Sequence, residues 1–240
     1  YEKINIFILL KLIFNLKYKY RDYLKTYIEY VKPKILITLI DNNIFFYQIK
    51  FKFLKKIAVQ NGKRSNIPQD MFFNLQKKKI DLFTDYLFTH NSSISKLYAK
   101  YIKSRTIVAG SIRSNSIKIN KKKIYNIGYI STYRDINPET QFYKNYFYQD
   151  SINSELKLLN HLKRYCKENN CKLSIIGLPQ NIEESKKEKK FYFNIFGDNF
   201  LYFENSVNRK TYSLIDKFKV MCGIDSTLLY ESFGRGNKTV

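Results

Sequence analysis

Short runs of β-branched and aromatic residues alternate with segments of helical period along the whole chain, and this alternation restricts the fold more than any other feature. Ile35-Leu36-Ile37-Thr38-Leu39-Ile40 reads as a buried strand, and residues 56–60, 86–89 and 106–109 read as three more. Ahead of the first, Tyr20, Tyr23, Leu24, Tyr27, Ile28 and Val31 share one helical face, and Pro33 stops that helix. Residues 92–101 form a second helical pattern, capped by Asn91 or Ser92. Strands this short, separated by helices, pair in parallel through crossovers, which predicts the α/β class. The second half repeats the scheme. A strand at 124–130 precedes a helix from about Ser151 to Glu168, capped by Ser151 with Glu155 near its first turn. Strands at 173–176 and 200–203 follow, and an apolar run closes at Cys222. Between Ser111 and Lys123, Ser, Asn and Lys replace the apolar period, which predicts a linker between domains at 1–112 and 123–240.

The charge is less informative than its size suggests. The chain carries a formal net charge of +23, yet only eight of its 43 basic residues are Arg. Lys, Asn, Ile, Tyr and Phe are abundant together, and all five have A/T-rich codons, so much of the lysine surplus requires no anionic partner. With no RNP-like motif, zinc finger or arginine-rich arm, a nucleic-acid partner is not expected. The basic, Tyr-rich first half predicts peripheral contact with an anionic membrane. Cys166, Cys171 and Cys222 form no CxxC pair and read as reduced core residues of a cytoplasmic protein. With only His90 and His161 besides, neither a metal site nor a cofactor is expected. Residues 4–14 are apolar apart from Asn5 and Lys11, too short for the ~20 residues that cross a bilayer, and read as a buried element. They lack a basic leader and a small-residue cleavage site. The charged run 183–190 reads as a solvated helix face.

Polar residues gather where such a fold places ligands. Asp41-Asn42-Asn43, Gln60-Asn61-Gly62, His90-Asn91 and Gly110-Ser111 each follow a predicted strand, and the carboxyl ends of strands form the binding crevice of open α/β sheets. Each is also an ordinary turn or cap sequence. In the second half, residues 221–236 read as strand, tight turn and helix. Gly223 permits the turn, Ser226 or Thr227 caps the helix, and Glu231 lies one turn further in. Unpaired N–H groups and the helix dipole favour an anion there, and Glu231 can accept from ribose hydroxyls, or these residues simply cap a helix. Ser131-Thr132-Tyr133-Arg134 offers hydroxyls and a guanidinium to a phosphate, or is an exposed loop.

Ile40-Asp41-Asn42-Asn43, Val59-Gln60-Asn61-Gly62-Lys63-Arg64, Ala109-Gly110-Ser111-Ile112-Arg113-Ser114-Asn115 and Gly223-Ile224-Asp225-Ser226-Thr227-Leu228 with Tyr230-Glu231 together resemble transferases of bacterial surface-carbohydrate and O-antigen biosynthesis, over about residues 33–240. The resemblance implies a GT-B-like glycosyltransferase: two Rossmann-like domains facing across a cleft, acceptor side first and nucleotide-sugar donor side second. It implies donor phosphate at Ser226 and Thr227, a nucleotide hydroxyl at Glu231, and an acceptor side formed by Asn42, Gln60, Asn61 and Gly62; the residues of the 131–134 loop themselves add Ser131 and Arg134 as donor contacts. Asp41 is its candidate general base, or else a helix cap. Likeness to transferases of acidic sugars such as Kdo makes a CMP-activated donor one option, with a glycan or lipid-linked acceptor at the inner face of the cytoplasmic membrane. The absence of a DxD motif fits metal-independent chemistry, and the closing Lys238-Thr239-Val240 resembles the start of a strand, so the donor domain is expected to be incomplete. Two alternatives share the residues: a polyol-phosphate transferase using a CDP-alcohol, and a non-catalytic polyanion-binding module.

Overall fold

The computed structural model describes residues 4–16, 19–64, 75, 80–134, 142–143, 146–178, 181–204 and 210–240. The chain divides into two compact units, one of Tyr1–Asn61 and Asp70–Ala109, the other of Gly62–Gln69 and Gly110–Val240. Each contains a parallel sheet with helices, as the alternating period predicts.

In the first unit, β1 (Ile35–Thr38), β2 (Lys55–Val59), β3 (Leu82–Thr89) and β4 (Ile102–Val108) lie side by side in that order, all parallel. Ala58 and Leu87, paired across β2 and β3, are fully buried with Tyr47, Tyr98 and Ile102. The helices are α1 (Ile6–Phe14), α2 (Tyr20–Val31), α3 (Ile44–Gln48) and α4 (Ser92–Ala99), the last capped by Asn91. The buried Lys56 ammonium closes α3 by donating to the carbonyls of Phe46, Tyr47 and Ile49, where the helix dipole favours a cation. Two expectations are corrected here. β1 stops at Thr38, whose hydroxyl accepts from Ile40 N at 3.0 Å, and as an edge strand it leaves Ile35 and Ile37 exposed. The stretch expected to be buried at the start of the chain is a helix of which only Ile8 and Leu12 are buried.

In the second unit the order is β11 (Lys238–Thr239), β10 (Phe218–Gly223), β5 (Tyr125–Ile130), β8 (Leu173–Ile176), β9 (Phe200–Phe203), again all parallel. A two-stranded antiparallel pair, β6 (Phe142–Tyr143) and β7 (Tyr146–Phe147), precedes the helix that begins at Tyr148. Strand alternation sends Ile127, Tyr129, Leu173, Ile175 and Cys222 against α6 (Tyr148–Glu168) and α7 (Ile182–Phe196). The opposite parity, Ile130, Ile176 and Met221, packs with α8 (Lys210–Ile215) and α9 (Thr227–Gly234). A short helix, α5 (Ile112–Asn115), opens the unit with Ser111 as its cap. Gly128 is required by packing: a Cβ there would lie 2.6 Å from Met221 Sδ and 2.9 Å from the Phe218 ring.

The helix expected from Ser151 begins three residues earlier, so Ser151 falls within its first turns and not at its cap. Nor is the 183–190 run wholly solvated. Glu188 is fully buried, accepting from Leu178 N and from the Tyr202 hydroxyl at 2.7 Å. Cys166 and Cys222 are buried free thiols, pushed up to about 12 and about 11 by burial.

Candidate functional site

From β5 the chain runs outward to β8 and β9, then returns to the other side of β5 as β10. This reversal makes the carboxyl ends of β5 and β10 the switch point of the sheet, the place where open α/β sheets leave a crevice. The first unit, ordered β1 to β4 without reversal, has no such point among its described strands. The segments that leave the switch point are Ser131–Arg134 after β5 and Ile224–Thr227 after β10.

After β10 the chain turns through Asp225 in the left-handed region (φ 49°), a conformation that Asp tolerates better than most residues, and α9 begins. Ser226 has the extended backbone of a cap, but its hydroxyl makes no capping hydrogen bond, so the expected capping by Ser226 is corrected. The Thr227 hydroxyl instead accepts from Lys63 N at 3.0 Å. That contact brings Gly62-Lys63-Arg64 onto the start of α9. A Cβ on Gly62 would stand 3.3 Å from Thr227 Oγ1, so the close approach suits glycine. The Lys63 ammonium pairs with Asp225 and lies 5.1 Å from the centre of the Tyr230 ring. Partial burial lowers its pKa, but hydrogen bonds to Asp225 and Tyr230 outweigh that and raise it above the ordinary lysine value. Arg64 donates to Lys63 O at 2.8 Å, which fixes its side chain beside the same turn.

One turn into α9, the half-buried Glu231 accepts from Ser111 Oγ at 2.5 Å and from the Tyr212 hydroxyl at 3.1 Å on both carboxylate oxygens. Burial, and then the Glu231 charge, push Tyr212 up to about 12, so it remains a donor. The far end of the helix is held by Arg235, which sequence reasoning missed. Its buried guanidinium donates to both oxygens of Asp216, at 2.8 and 2.6 Å, and to the carbonyls of Ser114 and Ile117. An isolated Arg following Gly234 gave no sign of this, because its partners lie 19 and 121 residues away.

The two residues named on the β5 side separate. Ser131 is buried, bonded to the Tyr192 hydroxyl at 2.7 Å and accepting from Tyr133 N, so its hydroxyl is bonded within the fold. Tyr192 and Tyr129 both donate to the buried Glu155, which completes a closed polar network behind that strand end. Arg134 is exposed and donates to Tyr133 O at 3.2 Å.

In the first unit, Asp41, Gln60 and Asn61 meet at the carboxyl ends of β1 and β2. Asp41 is fully buried. Its carboxylate accepts from Asn61 N at 3.0 Å and from the Tyr98 hydroxyl, while its carbonyl accepts from Tyr47. Gln60, also buried, accepts from His90 N at 2.8 Å. These bonds tie the loops after β1, β2 and β3 together. Buried among hydroxyl and amide donors, Asp41 holds these loops together. Asn42 is exposed at the same edge, and its neighbour Asn43 caps α3. Among the described residues, no group of three or more His, Cys, Asp or Glu is placed to hold a metal ion, and no helix is long and apolar enough to cross a membrane.

A family model described as "putative O-antigen biosynthesis protein" matches residues 57–240. No curated protein matches the chain. Among solved structures, that of accessory secretory proteins 1, 2 and 3 of Streptococcus pneumoniae aligns at 10% identity with a TM-score of 0.40, covering 89% of this chain and 41% of that one. The chain therefore spans less than half the length of that relative, and the fold rests on the two parallel sheets themselves.

Proposed function

The chain belongs to this O-antigen biosynthesis family, and from that premise we propose that it is a glycosyltransferase which moves a sugar from a nucleotide-sugar donor to a growing surface polysaccharide or its lipid-linked precursor. The observation that carries the reading is the placement of Lys63 and Arg64 against the N-terminal turn of α9, at the switch point of the second sheet. A helix start, a raised-pKa ammonium and a guanidinium together favour a doubly bonded phosphate more than any one of them alone. In this reading the donor phosphate takes the first N–H groups of α9 and the Thr227 and Ser226 hydroxyls. Lys63 exchanges Asp225 for it, and Arg134 reaches from the end of β5. Glu231, already oriented by Ser111 and Tyr212, receives a nucleotide hydroxyl. Asp41 is proposed as a positioning residue that sets Asn61 and the loop leading into Lys63. A GT-B arrangement, with the first unit serving the acceptor, is the architecture this function would use.

A thermal-shift screen of CMP, CDP, UDP, GDP and dTDP sugars tests the proposal. A nucleotide at about 100 times its Kd stabilises the fold by about 2.7 kcal/mol. One class should do so in the native chain and much less in a Lys63→Gln/Arg64→Gln variant. Stabilisation by CDP-alcohols in preference to sugars would move the assignment to polyol-phosphate transfer. Indifference to every nucleotide, with binding to any polyanion, would overturn it.

A further inference from the structure

We propose that α1 is a membrane-docking element which lies in the head-group layer of an anionic bilayer. Its nine residues, Ile-Phe-Ile-Leu-Leu-Lys-Leu-Ile-Phe, are apolar on nearly every face, yet the fold uses only one seam of them. At ~100° per residue, the buried Ile8 and Leu12 lie on one side. Ile6, Leu10, Ile13 and Phe14 fan across the opposite side, with Phe7 and Leu9 at its margins. Phe7 is 77% exposed, Phe14 84% and Ile6 68%. A helix that is apolar all round belongs in a core or at a membrane, and this one has core on one side only.

Charge selects the occupant. Between residues 4 and 34 the sequence holds Lys11, Lys17, Lys19, Arg21, Lys25, Lys32 and Lys34 against Asp22 and Glu29. The following helix exposes Tyr20 and Tyr30, side chains that suit the boundary between acyl chains and water. Apolar contact plus a cationic surround is the pairing that holds a helix on anionic lipid. A second copy of the chain, carrying the same +23 charge, would set like charges against each other. Nine residues rise only about 14 Å against a hydrocarbon core of about 30 Å, so α1 lies in the surface layer and does not span. This inference is independent of the sugar-transfer proposal.

The chain has no Trp, so Phe7→Trp supplies a single tryptophan, excited selectively over the tyrosines, at an exposed position. With phosphatidylcholine vesicles containing phosphatidylglycerol, its emission should move to the blue and be quenched by brominated acyl chains. Pure phosphatidylcholine should give much weaker binding. In sedimentation with the mixed vesicles, Phe7→Asp/Phe14→Asp should lower partitioning at least tenfold while leaving the melting temperature unchanged, since both rings are outside the core. Native-like partitioning of the double Asp variant would reduce the contact to lysines alone and overturn the proposal. So would an emission that stays red on anionic vesicles, or one that shifts with protein concentration in the absence of lipid.

Discussion

Replacing Lys63 by Gln and Asp225 by Asn should move donor affinity in opposite directions, because the two side chains pair with each other beside the proposed phosphate position. The Asp225 carboxylate is 59% exposed and the Lys63 side chain 28%. An ion pair so open to water contributes about 0–1 kcal/mol to folding, so neither change should shift the melting temperature far. Asn also accepts the left-handed backbone at position 225. Binding responds differently. Loss of a charged hydrogen bond to phosphate costs ~1.5–3 kcal/mol, roughly tenfold to a hundredfold in Kd, for Lys63→Gln. Asp225→Asn removes a carboxylate that competes for the ammonium and repels the incoming anion. At water-like screening over a few ångströms this is worth about 1 kcal/mol, or about fivefold tighter binding. Because its hydrogen bonds hold the Lys63 pKa above the usual lysine value despite partial burial, the ammonium stays charged throughout neutral pH. Its contribution should be constant there and fade only as pH rises through that elevated pKa. Calorimetric titration with the nucleotide chosen by the screen, beside melting curves, reads all three effects. Unchanged affinity in Lys63→Gln, or a loss in Asp225→Asn as large as in Lys63→Gln, would refute the reasoning; the latter result would make Asp225 a ligand.

Arg235→Met strands the buried Asp216 carboxylate and should cost about 3–5 kcal/mol in urea unfolding, the characteristic loss when one member of a buried pair is removed. Glu231→Gln places an amide before two hydroxyl donors, Ser111 and Tyr212, and should destabilise by about 1–2 kcal/mol in thermal melts while nucleotide affinity also falls. Loss of stability without loss of affinity would leave Glu231 purely structural. Gly128→Ala forces a methyl group into Met221 and Phe218 and should cost about 1–3 kcal/mol by denaturant titration.

In the parallel sheet of the second unit, Leu173–Ile176 and Phe200–Phe203 were legible residue for residue, since both are short, largely apolar and flanked by polar turns, whereas the two-residue strands β6 and β7 were not foreseen. Burial was harder to read. Ile35 and Ile37 have the composition of a central strand, but strand order, which local sequence does not encode, puts them at a sheet edge. The α1 segment misled for a related reason. Apolar composition states that a surface must be covered and is silent on whether protein or lipid covers it. Glu188 shows the reverse case, a carboxylate inside a charged run that is buried because a backbone amide and a tyrosine on neighbouring elements reach it.

At the candidate site, the strand–turn–helix at 218–234 was visible because glycine, capping residue types and helical period coincide in one short span. Its main cations were not, although Lys63 and Arg64 directly follow the Gln60-Asn61-Gly62 turn. The hydrogen bond that brings them there joins residues 164 positions apart, and a single sequence records no such pairing. The same long-range closure separates residues of equal promise. Asp41, Ser131 and Ser226 each follow a strand, but Tyr98 and Asn61 occupy the first, and Tyr192 and Tyr133 the second. Ser226 makes no side-chain capping bond. Polar type and position after a strand therefore nominate a residue, and what the rest of the fold bonds to it decides whether it faces a ligand or holds a loop.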